Sequence, residues 1–372
     1  MKRFFGILLI AAAAAAVLLF TPSRKPGPDG LPAPTSNAPA AVAAAASVPG
    51  LAGSEKMSLL EDPEILARLA KVSGLRPDAR KAGSVELVEG PTDGQSFLWP
   101  GSQVNLDAFR ESGRSPAAAD SLLHSPIVFY TWDVIATAFE SNGVVKVENG
   151  VHYLDRLGQV VEWIDTRKEW KEIGVPRMWG KVSVVSTDPG RSNSGAMFSA
   201  LLATVYNQGE VPTARTVEPL LPRLRQFFDR LGHMEHSSGV LFQMFVTQGV
   251  GAYPVIVGYE NQLIEFALEH PEAVPLIQQK VKVLYPRPTV WANHPFIALD
   301  GRGKELLQAM KDPEVLKLAW RRHGFRSGIL AGAGEIKAAP FKGLPETIDA
   351  VMPTPGVEAM RRIAAALKST TP

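Results

Sequence analysis

Residues 184–195 have the sequence VVSTDPGRSNSG, in which an apolar segment is followed by a polar loop with two glycines. The apolar part predicts a strand, and residues 196–203 predict a helix that begins after the loop. Ser192, Asn193 and Ser194 lie where a side chain can cap a helix or leave its first N–H groups free. Because those groups and the helix dipole favour an anion or a polar oxygen, we expect this loop to hold a small ligand.

The length, charge and cysteine content of the chain exclude several classes of protein. Its 372 residues exceed what one hydrophobic core usually serves, so we expect two lobes of about 100 to 200 residues each. It has 39 basic and 37 acidic residues, a formal net charge of +2, which argues against nucleic acid as a partner. It has no cysteine, which excludes disulfides, thiol catalysis and a lipid anchor on cysteine.

The first 20 residues predict a membrane-targeting segment. Lys2 and Arg3 precede an apolar run over residues 4–20, close to the lower limit of about 17 residues for a helix that spans a bilayer. No cleavage site of small residues directly follows Phe20, so the pattern favours an uncleaved signal-anchor, with a cleaved signal peptide as the alternative. Residues 21–46 are rich in proline and alanine and predict a disordered or extended tether.

The chain from residue 47 onward alternates between short apolar runs and amphipathic helical patterns. This alternation is typical of an α/β fold, and we expect mostly parallel sheets. Asp62 and Pro63 predict a helix start, as N-cap and first helical residue. The other predicted strands cover residues 79–82, 125–133, 254–259, 280–284 and 290–299, and the other predicted helices cover residues 134–140, 263–268, 304–310, 312–322 and 357–367.

Small hydroxyl and amide residues recur where predicted strands end and helices begin. In open α/β sheets, ligands bind beyond the carboxyl ends of the strands, where helix N-termini converge. A single serine at such a position is more often a helix cap than a ligand contact, but the recurrence favours a binding site. The residues of this set are Ser54, Ser84, Ser102, Thr131, Thr187, Ser192, Asn193, Ser194 and Asn261.

Charged residues near these loops bear on the ligand. Lys56 and Arg191 could neutralise an anion. Glu55, Asp188 and Glu260 could instead recognise a cation or fix the loops. The hydroxyl and N–H donors favour a small polar or anionic solute, since sugars or peptides would favour aromatic platforms. The candidate ligand-binding residues are Ser54, Glu55, Lys56, Ser84, Ser102, Thr131, Trp132, Asp188, Arg191, Ser192, Asn193, Ser194, Gly195, Glu260 and Asn261.

The same motifs argue against an enzyme. Residues 190–194 lack the glycine that a nucleophile elbow requires, although a hydrolase using Ser192 or Ser194 stays an alternative. His233 and His236 could share a helix face, but they lack the spacing of a zinc protease, and a solvated turn is the simpler interpretation. No phosphate-binding loop or dinucleotide fingerprint occurs. We therefore expect no catalytic residue, no metal and no cofactor.

Further motifs are spread along the chain. They are Gly53-Ser54-Glu55-Lys56, Asp62-Pro63-Glu64, Ser125-Pro126-Ile127-Val128, Thr187-Asp188-Pro189, Ser192-Asn193-Ser194-Gly195, Tyr259-Glu260-Asn261-Gln262, Pro288-Thr289, His294-Pro295, Trp320 and His323-Gly324-Phe325. Together they resemble bacterial extracellular solute-binding proteins of the type 2 periplasmic binding-protein fold, in a branch distantly similar to molybdate- and sulfate-binding proteins. The resemblance covers about residues 47–326, and residues 188–195 are its most specific part.

The resemblance implies two α/β lobes joined by two hinge crossings, with the ligand in the cleft between them and the N-terminal hydrophobic helix in front. The crossings are expected near residues 131–136 and 285–290. Lobe one would combine residues 47–133 with residues 288–372, and lobe two would cover residues 134–287. Closure of the lobes would convert ligand occupancy into a shape that a partner can recognise.

The resemblance also implies a function. The protein is expected to capture a small polar solute, with an anion favoured, outside the cytoplasm for an ABC-type permease. It would be anchored to the membrane by its N-terminal helix, or secreted if that helix is cleaved. The serine loops do not match the molybdate or sulfate motifs closely enough to transfer those ligands. The tail beyond Arg326 is longer than the resemblance requires. The alternative is a membrane-tethered sensor or protein-interaction module of the cell envelope on the same scaffold.

Overall fold

The computed structural model describes residues 45–327, 339 and 342–368. The predicted signal-anchor over residues 1–20 and nearly all of the predicted tether over residues 21–46 lie outside these residues. None of the helices described has the length and apolar character needed to cross a bilayer. The described residues fold into two α/β lobes, each built around its own sheet and hydrophobic core.

The strands, numbered along the described part of the chain, divide into two sheets. They are β1 Ala46–Ala52, β2 Leu75–Lys81, β3 Phe97–Trp99, β4 Ala118–Ser121, β5 Ser125–Trp132, β6 Val145–Glu148, β7 Val151–Leu154, β8 Val255–Tyr259, β9 Val281–Pro286, β10 Thr289–Ala292, β11 Pro295–Ala298 and β12 Val351–Met352. The first sheet has the order β2-β1-β3-β11-β4. The second has the order β12-β10-β5-β9-β7-β6. In addition, β8 pairs with β5 on the edge opposite β9.

Helices cover the faces of both sheets. They are α1 Met57–Glu61, α2 Pro63–Ser73, α3 Ser84–Glu89, α4 Gln103–Glu111, α5 Asp133–Ser141, α6 Leu157–Asp165, α7 Asn193–Tyr206, α8 Leu221–Asp229, α9 Ser238–Gln248, α10 Glu260–Glu269, α11 Val274–Lys280, α12 Gly301–Met310, α13 Pro313–His323 and α14 Val357–Leu367. The predicted start of α2 is confirmed, because Asp62 Oδ1 accepts hydrogen bonds from the N–H of Glu64 at 2.8 Å and of Ile65 at 3.1 Å.

The central strand of the second sheet is β5, whose eight residues are all buried. It runs antiparallel to β8, β9 and β10. In the first sheet, β1 is parallel to β2 and β3, but β11 is antiparallel to β3 and β4. The expectation of mostly parallel sheets is therefore wrong. The physical reason is that the chain enters the second sheet along β5 and returns along β10, in the opposite direction.

Two predicted strands differ from the structure. The apolar segment before the ligand loop forms a single bridge, in which Val185 exchanges backbone hydrogen bonds with Val255 and Val257. Val182 and Val184 are buried by packing and not by ladder pairing. The predicted strand over residues 290–299 is two short strands in different sheets, β10 and β11, because the chain crosses between the lobes at Asn293 and His294.

The links between the two sheets lie at residues 122–124, between β4 and β5, and at residues 293–294, between β10 and β11. A third link follows α13, where His124 and Arg326 exchange backbone hydrogen bonds of 2.8 and 2.9 Å. The predicted crossings at residues 131–136 and 285–290 instead fall on β5, α5, β9 and β10. The three strands belong to the second sheet, because the buried β5 needs strand partners on both of its edges. The helix α5 packs on the same sheet.

The C-terminal helix α14 contacts both lobes. It packs against α4 of the first lobe and against α7 and α8 of the second. Arg361 Nη1 lies 3.1 Å from Glu111 Oε2, and Arg362 Nη1 lies 2.6 Å from Glu218 Oε1. The sequence-based assignment of residues 288–372 to lobe one places this helix with one lobe, whereas its contacts span two.

A buried ion pair fixes the return of the chain after α13. Arg326 Nε donates to Glu260 Oε2 at 2.6 Å and Arg326 Nη2 donates to Glu260 Oε1 at 2.7 Å, and both side chains are 0% exposed. Tyr285 Oη donates to the same carboxylate at 2.7 Å, and Arg326 Nη2 also donates to the carbonyl of Pro345 at 2.8 Å. The pair therefore connects α10, β9 and the tail in one hydrogen-bonded network.

Removing one partner of this pair should leave a buried charge uncompensated. We expect Arg326→Met to lower the free energy of unfolding by about 3 to 5 kcal/mol, measured by urea denaturation. The exposed Arg321 is the matched control, and Arg321→Met should change stability by less than about 0.5 kcal/mol. Equal stability of the two variants would contradict the assigned role of the pair.

Candidate functional site

A cavity of about 660 Å³ lies between the two lobes. Both lobes and the residue that follows α14 contribute to its walls. It is lined by Gly53, Ser54, Glu55, Lys81, Ala82, Gly83, Ser84, Val85, Glu86, Gly190, Arg191, Ser192, Asn193, His236, Ser237 and Lys368. Its size falls in the range of about 300 to 1,000 Å³ that is typical of small-molecule sites.

The wall from the first lobe is formed where β1 and β2 end. These strands are parallel neighbours, so their carboxyl ends meet at one edge of the sheet. Ser54 follows β1, and Ser84 begins α3 after β2. Ser84 Oγ accepts a hydrogen bond from the N–H of Gly101 at 3.1 Å, which leaves its own hydrogen able to donate to a ligand.

The wall from the second lobe is formed where α7 and α9 begin. Ser192 and Ser237 are the N-cap residues, and neither side chain makes a capping hydrogen bond. The unbonded N–H groups of a helix's first turn attract anions, which the helix dipole reinforces. The two helix starts therefore supply donors to the same cavity, from the loop that the sequence had singled out and from a second loop.

The second-lobe loops are held together by Asp188. Its N–H donates to the carbonyl of Glu235 at 3.0 Å, and its Oδ1 accepts from the N–H of Gly190 at 2.7 Å. Arg191, whose side chain is 62% exposed, has Nη1 3.3 Å from His236 Nδ1. Asp188 thus fixes the loop geometry, and Arg191 places positive charge at the mouth of the cavity.

Next to the cavity, three buried titratable side chains form a cluster. Glu55 Oε1 pairs with Lys56 Nζ, and His294 Nδ1 lies 3.4 Å from Glu55 Oε1 and 3.3 Å from Lys56 Nζ. The Lys56 and His294 side chains are 0% exposed, and that of Glu55 is 5% exposed. Lys56 also donates to the carbonyl of Pro100 at 3.5 Å.

Burial and charge act in opposite directions on the pKa values of this cluster. Burial would raise the pKa of Glu55, but Lys56 and His294 beside it lower that pKa below its usual range. Burial lowers the pKa of Lys56, against the effect of the Glu55 charge. Burial, together with the charge of Lys56, lowers the pKa of His294 to about 4. His294 is therefore neutral at neutral pH, and Glu55 is ionised.

Lys56 does not line the cavity, although it is one of the predicted cationic contacts. Its charge is paired with Glu55 instead. Asp188, Ser194 and Gly195 also lie behind the cavity wall. Ser194 is fully buried, with Oγ 2.7 Å from Thr187 Oγ1, and a Cβ at Gly195 would lie 2.3 Å from the carbonyl oxygen of Thr187. Ser194 and Gly195 therefore hold the start of α7 close to the backbone of Thr187.

The other predicted binding residues outside the cavity lining have partners in the protein. Thr131 donates to the carbonyl of Pro254 at 2.9 Å, and Trp132 donates to that of Tyr253 at 2.8 Å. Ser102 Oγ donates to Asn105 Oδ1 at 2.7 Å. Glu260 pairs with Arg326, and Asn261 Oδ1 accepts from Ser125 Oγ at 3.1 Å. Strand ends carry such residues for structural reasons too, so the pattern alone does not distinguish residues that line the cavity from residues that bond within the protein.

The lining residues that are not among the predicted ones are Gly53, Lys81, Ala82, Gly83, Val85, Glu86, Gly190, His236, Ser237 and Lys368. Ser237 carries a signal that could have found it, a serine directly before the apolar helix α9. His236 lies in a loop and not on a helix face. Lys368 follows α14, about 180 residues from the loop it faces, so only the tertiary fold brings it there.

The two lobes approach each other closely beside the cavity. Ser237 Oγ donates to Ser54 Oγ at 3.4 Å across the cleft. A Cβ at Gly83 would lie 2.8 Å from the carbonyl oxygen of Arg191, in the opposite lobe. The structure therefore has the lobes in contact, at a point where a larger side chain would force them apart.

No known family model and no curated protein sequence matches the chain. Among solved structures, a periplasmic thiamin binding protein matches with a TM-score of 0.56 and 9% identity, over 87% of this chain and 95% of that chain. The sulfate-binding protein SubI from Mycobacterium tuberculosis H37Rv matches with a TM-score of 0.48 and 14% identity, over 76% and 87% of the two chains. The periplasmic binding protein P5PA matches with a TM-score of 0.49 and 11% identity, over 86% and 98%. The first likeness confirms the predicted two-lobed α/β fold of periplasmic binding proteins.

The buried His294 predicts a pH-dependent stability. The unfolded chain protonates this residue below about pH 6.5, whereas the folded protein does so below about pH 4. Because the unfolded state binds more protons in this window, the stabilisation is fully present above pH 6.5 and is lost as the pH falls toward 4. Between pH 7 and pH 5, the wild type should lose about 2 kcal/mol more than His294→Asn, measured by urea unfolding.

Asparagine suits this substitution because it tolerates the positive φ of 31° at His294. The control is His233→Asn, at a side chain that is 83% exposed. That variant should keep the pH dependence of the wild type. The prediction fails if the stability curves of wild type and His294→Asn run parallel across this pH range.

Proposed function

We propose that this protein binds a small polar, anionic solute in the cleft between its lobes and presents it to an ABC-type permease outside the cytoplasm. One observation carries the proposal: a 660 Å³ interlobe cavity where the starts of two helices, four serine hydroxyls and several cationic side chains converge. The two-lobed fold supports it, because such a fold can close around a ligand.

The charge balance of the lining favours an anion. Lys81, Arg191 and Lys368 line the cavity, as does His236. The lining carboxylates are those of Glu55 and Glu86, and the charge of Glu55 is already balanced by Lys56 behind it. Charge-assisted hydrogen bonds from arginine and lysine are the stronger contacts that proteins make with carboxylates and phosphates.

Capture without turnover fits the arrangement of the lining serines. Ser192 Oγ lies 3.1 Å from Ser194 Oγ, and Ser54 accepts from Ser237. Among the described residues that line the cavity, no serine is hydrogen-bonded to a histidine or a carboxylate that could act as its base. His236 contacts Arg191 instead. We therefore propose a binding protein and not a hydrolase.

We further propose that closure bends the links at residues 122–124 and 293–294. The N-terminal segment over residues 4–20 would anchor the protein to the membrane, or direct its secretion if it is cleaved. In this arrangement the permease would recognise the closed form. A sensor of the cell envelope on the same scaffold is the outcome indicated if no solute binds.

The first test is a ligand screen of the full-length protein by thermal shift, against inorganic oxyanions, organic phosphates, phosphonates and carboxylates. An anion at 100 times its Kd should stabilise the native state by about 2.7 kcal/mol. For the anion that binds, Arg191→Ala should weaken the affinity at least about tenfold in isothermal titration, because a charge-assisted contact is lost. Arg177→Ala, at an exposed arginine outside the cavity, is the control.

No stabilisation by any anion of the panel would overturn the proposed function. Equal affinity of the wild type and Arg191→Ala would remove Arg191 from the site. A gain of stability with sugars or neutral amides alone would contradict the anionic ligand class.

A second test addresses closure. Gly83 has an ordinary φ of −70°, so valine fits its backbone, but the new side chain would meet the carbonyl of Arg191. Gly83→Val should therefore weaken anion affinity at least about tenfold while leaving the unfolding free energy nearly unchanged. Gly251→Val, where an added Cβ meets nothing within 4 Å, is the matched control. Unchanged affinity in Gly83→Val would show that this contact has no part in binding.

A further inference from the structure

Glu55 is an unusual residue for the wall of an anion site. It lines the cavity between the lobes, and its side chain is 5% exposed. A Cβ at Gly53 would lie 2.6 Å from Glu55 Oε1 and 2.7 Å from Oε2, so the carboxylate lies against a glycine that lines the same cavity. Its charge is paired with Lys56, so what bears on the ligand is the hydrogen-bonding capacity that its carboxylate retains.

The two oxygens of Glu55 have different surroundings. Oε1 contacts Lys56 Nζ and His294 Nδ1. Oε2 makes no hydrogen bond with any residue in the part of the chain that the structure describes. Each carboxylate oxygen can accept two hydrogen bonds, so Oε2 retains its acceptor capacity for a group in the cavity.

The charge of Glu55 does not by itself exclude an anionic ligand. Lys56 balances it from behind the wall, at a position that does not line the cavity. Across the cleft, Arg191 and His236 lie beside the starts of α7 and α9. The first-lobe wall thus offers an acceptor next to Lys81 and Ser84, and the second-lobe wall offers the starts of two helices with Arg191 and His236.

The volume of the cavity points to a ligand with two such ends. A tetrahedral oxyanion has five heavy atoms and would fill on the order of 150 Å³ at about 30 Å³ for each water-sized atom. The cavity has about 660 Å³, several times that volume. Apart from the imidazole of His236, none of its lining side chains is an aromatic ring that could stack on a ring of the ligand.

We propose that the ligand is a small aliphatic anion that also carries a hydrogen-bond donor, an ammonium or a hydroxyl group, and that Glu55 Oε2 accepts from this donor. The inference rests on the proposed function. The anionic group then lies against Arg191, His236 and the starts of α7 and α9. An inorganic oxyanion without a donor, such as sulfate, leaves Oε2 without a partner and binds weakly.

Three alkyl phosphates of nearly equal size test this specificity on the full-length protein: 2-aminoethyl phosphate, 2-hydroxyethyl phosphate and propyl phosphate. We expect at least one of the first two to bind at least about tenfold tighter than propyl phosphate in isothermal titration. The comparison between the first two identifies the donor as ammonium or hydroxyl.

The variant Glu55→Leu with Lys56→Met removes both charges of the buried pair, so no unpaired charge stays behind. It should bind the three phosphates with affinities within about threefold of one another, because leucine has no atom that can accept a hydrogen bond from the ligand's donor. Glu61→Gln, at an exposed carboxylate outside the cavity lining, should keep the preference of the wild type. Circular dichroism checks that the double variant is folded.

The outcomes separate this inference from the proposed function. Wild-type affinities for the three phosphates within about threefold of one another would overturn the role of Glu55 and leave anion capture intact. A donor preference that persists in the folded double variant would assign the donor contact elsewhere and also overturn it. Failure of every anion, in this set and in the wider panel, would overturn the proposed function itself.

Discussion

The rest of the structure depends on the backbone pairing of β5. All eight residues of this strand are buried, so every N–H and C=O group on both edges needs a partner within the protein. β8, β9 and β10 all pair with it and supply these partners. Because of these pairings, the returning strands β9 and β10 belong to the second sheet. The links between the lobes are therefore short segments directly before β5 and directly after β10. The cleft lies between the two bodies that this arrangement creates.

Two buried ion pairs illustrate how similar chemistry takes different roles at different places. Glu260 and Arg326 are both fully buried, and their hydrogen bonds are completed by Tyr285 and the tail. Glu55 and Lys56 are also buried, but Glu55 lines the cavity, and one of its carboxylate oxygens has no hydrogen-bond partner among the described residues. The first pair organises the fold. The second balances its own charge and still leaves an acceptor at the cleft.

The local signals in the sequence were reliable where one residue controls one backbone group. Asp62 caps α2, and the predicted helix over residues 357–367 is present with those bounds. The loop after residue 184 does lead into a helix whose start faces a cavity. The strand predicted before that loop is a single bridge, because an apolar segment can be buried by side-chain packing without a ladder partner. The direction of strand pairing could not be predicted from local sequence either, since parallel and antiparallel pairing follow from the path of the whole chain.

The sequence by itself determined the α/β class, the two-lobed expectation and the donor-rich loop at residues 188–195, because these follow from periodicity, capping chemistry and the motifs of neighbouring residues. Only the tertiary structure decided which polar residues share one cavity. Ser54, Ser192 and Ser237 meet across the cleft, whereas Thr131 and Asn261 have partners inside the second lobe. The physical reason is that a hydroxyl or amide at a strand end serves a cap, a buried hydrogen bond or a ligand equally well. Its neighbours in space, which the sequence does not display, determine which of these it serves.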